Sequence, residues 1–191
     1  MTTPYSRFIR WTHALAAIAI VFQMAISLIM DHPHTKKPMT IDGGQYFAWH
    51  EWVGLAALAV IIAGWLYRLV QWKREGHGRL FPWVDASGRQ TLGRELLQFL
   101  RLRWTTLPVD GALAGSIHGL GLLLGTVMAV TGGIIYFGLG PENKVTPAVH
   151  SVMDAHSFLA TFMWAYLGGH AVMALWHQFA GHGSFARMFK P

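Results

Sequence analysis

The sequence predicts an all-α integral membrane protein, a bundle of four transmembrane helices with an extended loop between the second and third. Three observations predict it. Of 191 residues, 53% are hydrophobic and only 13% charged, against roughly 25% charged in soluble domains. Four apolar windows reach the 20 or so residues that a helix needs to cross the hydrocarbon core. Lysine and arginine are also distributed unevenly between the segments joining those windows.

The first window covers 6–30. Arg7 and Arg10 precede its apolar stretch, but no small-residue cleavage site stands out and the stretch fills a spanning length, so it reads as a retained helix. The second window covers 45–70. The third, 111–137, is rich in glycine (Gly115, Gly119, Gly121, Gly125, Gly132, Gly133), and small residues let membrane helices approach closely. The fourth covers 148–179. Residues 71–110 form the long connection, with Pro82, Gly88 and Gly93 as breaks. Within it 94–103 alternates leucines and Phe99 with arginines, the pattern of a helix lying on the membrane surface or packing its apolar face inward.

Orientation follows from basic residues near the spans. Arg7 and Arg10, eight residues of the long loop counting Arg68, and Arg187 with Lys190 make twelve on one side. Lys36, Lys37 and Lys144 make three on the other. Both termini and the long loop are therefore expected in the cytoplasm. The net charge of +6 records this topology, and no nucleic-acid partner is expected.

With no cysteine in the chain, disulfides, thiolate metal sites, iron–sulfur clusters and covalently attached haem are excluded. Histidine is abundant instead, with 11 copies, and ionisable residues within spans are functional candidates by default. The topology places His13 near the cytoplasmic face of the first span and His50 near the outer face of the second. On the fourth span His156 is near the outer face, and His170 lies 14 residues further in. That spacing falls about 40° short of four turns, so both project from nearly one face, about 21 Å apart along the axis. Matching depths pair His13 with His170 and His50 with His156. Two layers of paired neutral imidazoles suit two b-type haems stacked across the membrane.

A single buried histidine is as readily an interhelical hydrogen-bonding group; four that pair by depth are harder to obtain by chance. Zinc or copper transport would favour ligands clustered at one depth. The only acids close to the span interiors are Glu51 and Asp154, so a proton-coupled transporter lacks its relay. His118, near the cytoplasmic end of the third span, can replace His13 or His170 as a ligand, or stand beside the inner haem as a proton-accepting group for quinone chemistry. His177, seven residues beyond His170, shares its face. Both also read as packing or interfacial histidines. Arg7, Arg10 and Arg68 suit haem propionates, although topology alone explains them. Tryptophans at the span ends read as interfacial belts.

The chain resembles the bacterial cytochrome b561 family of four-helix dihaem membrane cytochromes, a group that includes a superoxide oxidase. The likeness is carried by Tyr5-Ser6-Arg7 and Trp11-Thr12-His13, by His50-Glu51-Trp52-Val53-Gly54 leading to Leu66-Tyr67-Arg68, and by the closing run. That run comprises His156, Gly168-Gly169-His170, Ala174-Leu175-Trp176-His177 and Arg187-Met188. The resemblance implies that His13 and His170 bind the inner haem and His50 and His156 the outer, with His118 matching an extra third-helix histidine. The middle loop is longer than in compact members, and Gly64 stands where many relatives carry arginine.

The expected function is electron transfer across the bacterial inner membrane. It would join the quinone pool, ubiquinone or menaquinone, to a partner at the outer face. That partner is either a periplasmic cytochrome or dehydrogenase, or superoxide attracted by Lys36 and Lys37. A non-redox membrane scaffold or transporter with structural histidines is the remaining alternative.

Overall fold

The computed structural model describes residues 6–33, 39–71, 80–108, 110–139 and 144–180. Among the described residues there are five α-helices and two short 3-10 turns: α1 (Arg7–Ile26), α2 (Ile41–Val70), α3 (Ala86–Leu100), α4 (Ala112–Gly138) and α5 (Pro147–Phe179), with turns at Pro82–Val84 and Trp104–Thr106. Of these, α1, α2, α4 and α5 are long and apolar enough to cross a membrane. Large apolar side chains such as Ile18, Leu66, Phe158 and Val172 face outward along them. In hydrocarbon that arrangement is stable because each helix satisfies its own backbone. Lys36, Lys37, Tyr5, Arg187, Met188 and Lys190 lie outside the described residues, as does the loop stretch 72–79.

Helix ends are set by local hydrogen bonds that hydropathy does not register. The first span stops at Ile26 rather than 30. The Ser27 hydroxyl donates to the Met24 carbonyl at 2.8 Å, and Leu28 and Ile29 close tighter three-residue turns. The second span starts four residues earlier than expected because Thr40 caps it, its hydroxyl oxygen accepting from Gly43 N–H at 3.0 Å. Asp31 fastens that cap, accepting from the Thr40 hydroxyl at 2.6 Å and from its backbone N–H at 2.7 Å. These two bonds, the hydroxyl's first, hold the Asp31 carboxyl below the usual carboxylate range. A side chain at Gly43 would run into that carboxylate. At α5, Thr146 accepts from Val149 N–H at 3.3 Å and Pro147 takes the first helical position, where its missing N–H costs nothing.

The long loop departs most from the sequence reading. Gly88 and Gly93, read as breaks, lie inside α3, which starts eight residues before the expected 94. Asp85 starts it by accepting from Gly88 N–H at 2.7 Å, and the Ser87 hydroxyl donates to the same oxygen at 2.7 Å. The helix ends on a Schellman turn, with Leu102 N–H donating to Phe99 and Arg103 N–H to Gln98. Leu102 there adopts a positive φ of 58°, a place glycine usually takes. The leucines of 94–103 are exposed, and the buried residue of α3 is Glu95.

The Gly88 N–H and then the Ser87 hydroxyl hold the Asp85 carboxyl below its ordinary range. Its ionised form therefore stabilises the start of α3 fully above the ordinary aspartate value of about 4. That contribution is lost as pH falls through the depressed value. A mobility probe on α3 should loosen over that acid window. The change should flatten in Asp85→Asn, which keeps a capping oxygen without the charge; an unchanged acid response there would contradict the assignment.

Two compact units emerge from the contacts, with α2, α4 and α5 each contributing to both. One contains Phe8–Gly64 and Leu124–Ala165. Its interior holds Met24, Ile26, Phe47, Ala57, Ile61, Val149, Met153 and Met163. Trp52 and Tyr136 meet edge to face at 6.1 Å, and a Cβ at Gly133 would stand 3.3 Å from Leu58. The other contains Trp65–Leu123 and the chain from Tyr166 onward. There Pro82 is fully buried and Trp65 stacks on Phe81 at 6.2 Å. Gly119 on α4 lies so close to the Leu80 carbonyl that a Cβ would collide with it. Trp104 packs against Phe99 and Trp176 and donates its indole N–H to the Phe99 carbonyl at 2.9 Å.

Candidate functional site

His50 on α2 and His156 on α5 stand edge to face with ring centroids 6.4 Å apart and planes at 85°. With an imidazole nitrogen about 2.0 Å from a bound first-row metal and about 1.2 Å from its own ring centre, two rings on opposite sides of one metal stand roughly 6.4 Å apart. The separation thus fits two imidazoles that would hold one metal between them.

The surroundings of each ring agree. Nδ1 of His156 lies 2.8 Å from the Thr131 hydroxyl oxygen on α4. That hydroxyl also lies 2.8 Å from the Val127 carbonyl and 3.0 Å from that of Met128. A hydroxyl has one proton; given to a carbonyl of the preceding turn, it leaves an oxygen lone pair to accept from Nδ1–H. His156 is then the tautomer whose Nε2 is free for a metal. Gly132 makes room, since a Cβ there would reach 3.4 Å from the His156 ring.

For His50, Nδ1 is shielded from solvent and lacks a well-formed hydrogen bond among the described residues, although the Gln23 backbone lies near the ring. A buried polar atom left so costs about 1–3 kcal/mol, and a metal bond is one way to satisfy the ring. The backbone at His50 is held from α1, where the Gln23 amide donates to the His50 carbonyl at 2.7 Å. Gly54 permits that reach, because a Cβ there would stand 2.7 Å from the Gln23 nitrogen.

In the other unit His170 meets two rings. Tyr166 stacks on it at 5.5 Å with planes 16° apart, and His118 meets it edge to face at 5.3 Å. That is about 1 Å shorter than the separation of two ligands sharing a metal, so the geometry suits His118 as a neighbour of His170 rather than its opposite ligand. Gly121 accommodates Tyr166, whose phenol a Cβ would strike. His13 is exposed on α1, and His177 falls in the last turn of α5. Arg7 opens α1 exposed, while Arg10 and Arg68 are half-buried. His150 and Asp154 form an exposed pair at 3.1 Å.

Sequence reasoning missed Thr131, Gln23 and Tyr166. A signal existed for the first two, as polar residues within apolar spans; Gln23 is the only amide side chain of α1.

Long apolar helices with histidine rings gathered inside them define a class, the multi-span membrane proteins that hold metal cofactors between helices. The model of the prokaryotic cytochrome b561 family matches residues 4–191, and the chain belongs to that family. It is a membrane b-type cytochrome of electron transfer and binds haem b. The scaffold and transporter readings are thereby left without support. No curated protein and no solved structure matches the chain.

Proposed function

We infer that this protein carries electrons across the bacterial inner membrane between the quinone pool and a redox partner at the outer face. His50 and His156 would hold an outer haem b, and His13 and His170 an inner one. The 6.4 Å separation of the His50 and His156 rings carries the reading. Twelve basic residues against three support termini and long loop in the cytoplasm, with the outer pair facing the periplasm.

When bound, each haem supplies a one-electron redox centre whose potential the protein sets through its ligands and their hydrogen bonds. The chain's own residues do the rest. Thr131 fixes the tautomer and orientation of the His156 ring, and Gln23 anchors the α2 backbone at His50. Both histidines are half-buried between the helices. At the cytoplasmic end, the His118 imidazole can take the proton that a quinol, ubiquinol or menaquinol, releases on oxidation. Tyr166 and His170 stand beside it, and His177 lies about two helical turns further along α5. Arg7, Arg10 and Arg68 are placed by topology to meet propionates of the inner haem.

Purified protein in liposomes tests the direction of flow. Haem reduction by a quinol analogue, followed by reoxidation with a membrane-impermeant oxidant outside, is the expected result; reduction without transmembrane reoxidation would overturn it. Superoxide is the alternative outer donor. A superoxide pulse that reduces the haem rapidly would establish it, whereas quinol reduction with no response to the pulse would exclude it.

Thr131→Val, nearly isosteric, removes the oxygen that accepts from His156. Losing such a partner typically lowers metal-site affinity 10–100-fold. We expect faster haem transfer to an acceptor apoprotein and a raised midpoint potential, because the imidazole becomes a weaker donor to ferric iron. Thr131→Ser should restore both. Wild-type values in the valine variant would show the contact to be incidental.

A further inference from the structure

We propose that α3 and the turn after it bind acidic phospholipid, with Leu96, Leu97, Leu100 and Leu102 entering the bilayer interface and Arg94, Arg101 and Arg103 holding lipid phosphate. The inference concerns the cytoplasmic loop and does not depend on how haem is bound.

Three sides of α3 have different fates. On one, the buried Glu95 carboxylate accepts from Leu113 N–H at 2.7 Å, in the first turn of the α4 span. That bond fixes α3 at the level where a span begins, and Gly111 leaves the carboxylate its space. Phe99, on the same side at 100° per residue, packs on Trp104. Trp104 in turn meets Trp176 of α5 at 5.6 Å, and paired tryptophans at span ends are typical of the membrane boundary.

On the second side Leu96, Leu97 and Leu100 are 44, 48 and 67% exposed. They occupy an arc of about 100°, the apolar stripe of an interfacial helix. Leu102 extends it, 74% exposed at a backbone conformation that glycine adopts freely and leucine does not. Among the described residues nothing packed there requires an apolar side chain; a bilayer beside it would.

The third side is cationic. Arg94 and Arg101 border the leucine arc and Arg103 follows the turn, all exposed. Arg89 is committed to the Trp83 and Val84 carbonyls. Glu95 is the only acid in 86–108, and its charge is turned inward. The outward face therefore has net positive charge beside an apolar stripe. That combination fits anionic lipid, whereas a zwitterionic surface offers the arginines no net charge and a protein partner would have to match both features at membrane level.

The absence of native cysteine permits one reporter at a time. Leu97→Cys and Ser87→Cys, the latter on the aqueous side of α3, are spin-labelled in the full chain reconstituted in phosphatidylcholine nanodiscs, and phosphatidylglycerol is titrated in. The label at 97 should become accessible to oxygen and protected from a water-soluble nickel chelate as phosphatidylglycerol rises, while that at 87 stays aqueous. Replacing Arg94, Arg101 and Arg103 with glutamine should shift the immersed-to-aqueous ratio of the label at 97 toward water at a given phosphatidylglycerol fraction, by about fivefold per arginine and on the order of a hundredfold together. A label at 97 that stays aqueous in both lipids overturns the proposal. So does immersion indifferent to phosphatidylglycerol and to the arginines. Protection at 97 together with disulfide cross-linking of two chains by the unlabelled Leu97→Cys protein under oxidation would overturn the proposal and assign the face to a second copy.

Discussion

Replacing His156 with alanine should lose one of the two haems that the proposed ligand pairs would hold, and His50→Ala should lose the same one. The two rings stand at the separation of ligands sharing a metal, so removing either leaves the other alone with a ring nitrogen and no second imidazole. The double substitution should then lose no more than each single one, since the residues act as a unit. His170→Ala should remove the other haem, whereas His118→Ala should keep both, because its ring lies too close to His170 to share an iron with it. Haem per chain by pyridine haemochrome, on protein that elutes as a single species, measures all five. If His156→Ala retained full haem, the outer pair would be wrongly assigned; loss in His118→Ala would make that histidine a ligand.

A second large effect is expected where the protein has no room. At Gly119 a methyl group would enter the Leu80 carbonyl and press on Phe81. A backbone obstacle cannot rotate away as a side-chain tip can. Overpacking of this kind costs typically 1–3 kcal/mol, and at about 2–4 °C per kcal/mol for a chain of this length, Gly119→Ala should melt several degrees lower. Gly93→Ala supplies the opposite sign. Nothing lies within 4 Å of a Cβ there, and alanine is preferred to glycine in a helix by roughly 0.5–1 kcal/mol. Thermal unfolding of both in one detergent checks the pair. Equal melting temperatures would mean that the chain before α3 is not packed on α4 as described.

The four spans were legible because hydrocarbon imposes a length and a composition that few other structures share. The fourth was placed to within one residue at its start, and its end at Phe179 matched. Ends were less legible wherever a single side chain decides them. Ser27 shortens α1, Thr40 lengthens α2, and Asp85 begins α3 through two glycines that read as breaks. Hydropathy averages over many residues and cannot register one hydroxyl or carboxylate. Depth counted from the span starts led to His50 beside His156, since a helix converts residue number into height. It could not reveal Thr131 or Gln23. Their contacts depend on how each helix is rotated about its axis, which in a helix apolar all round leaves almost no periodic trace. For the same reason the open choice for 94–103 needed the structure, where the inward-facing residue is an acid bonded to a backbone N–H rather than a leucine.

His50 and His156 come from the second helix and the last one, and this bears on how the protein is made. Synthesis at about 5–20 residues per second separates their emergence, roughly a hundred residues apart, by some 5 to 20 seconds. During that interval α1 and α2 have left the ribosome while the partner ring and Thr131 have yet to be translated. The first hairpin must then persist in the lipid on contacts of its own. The Gln23 amide on the His50 carbonyl and the Asp31 grip on Thr40 are both internal to it. Capture of the haem proposed for this pair would have to follow insertion of the last helix, so chains stalled or truncated before it should accumulate as pale, half-built intermediates.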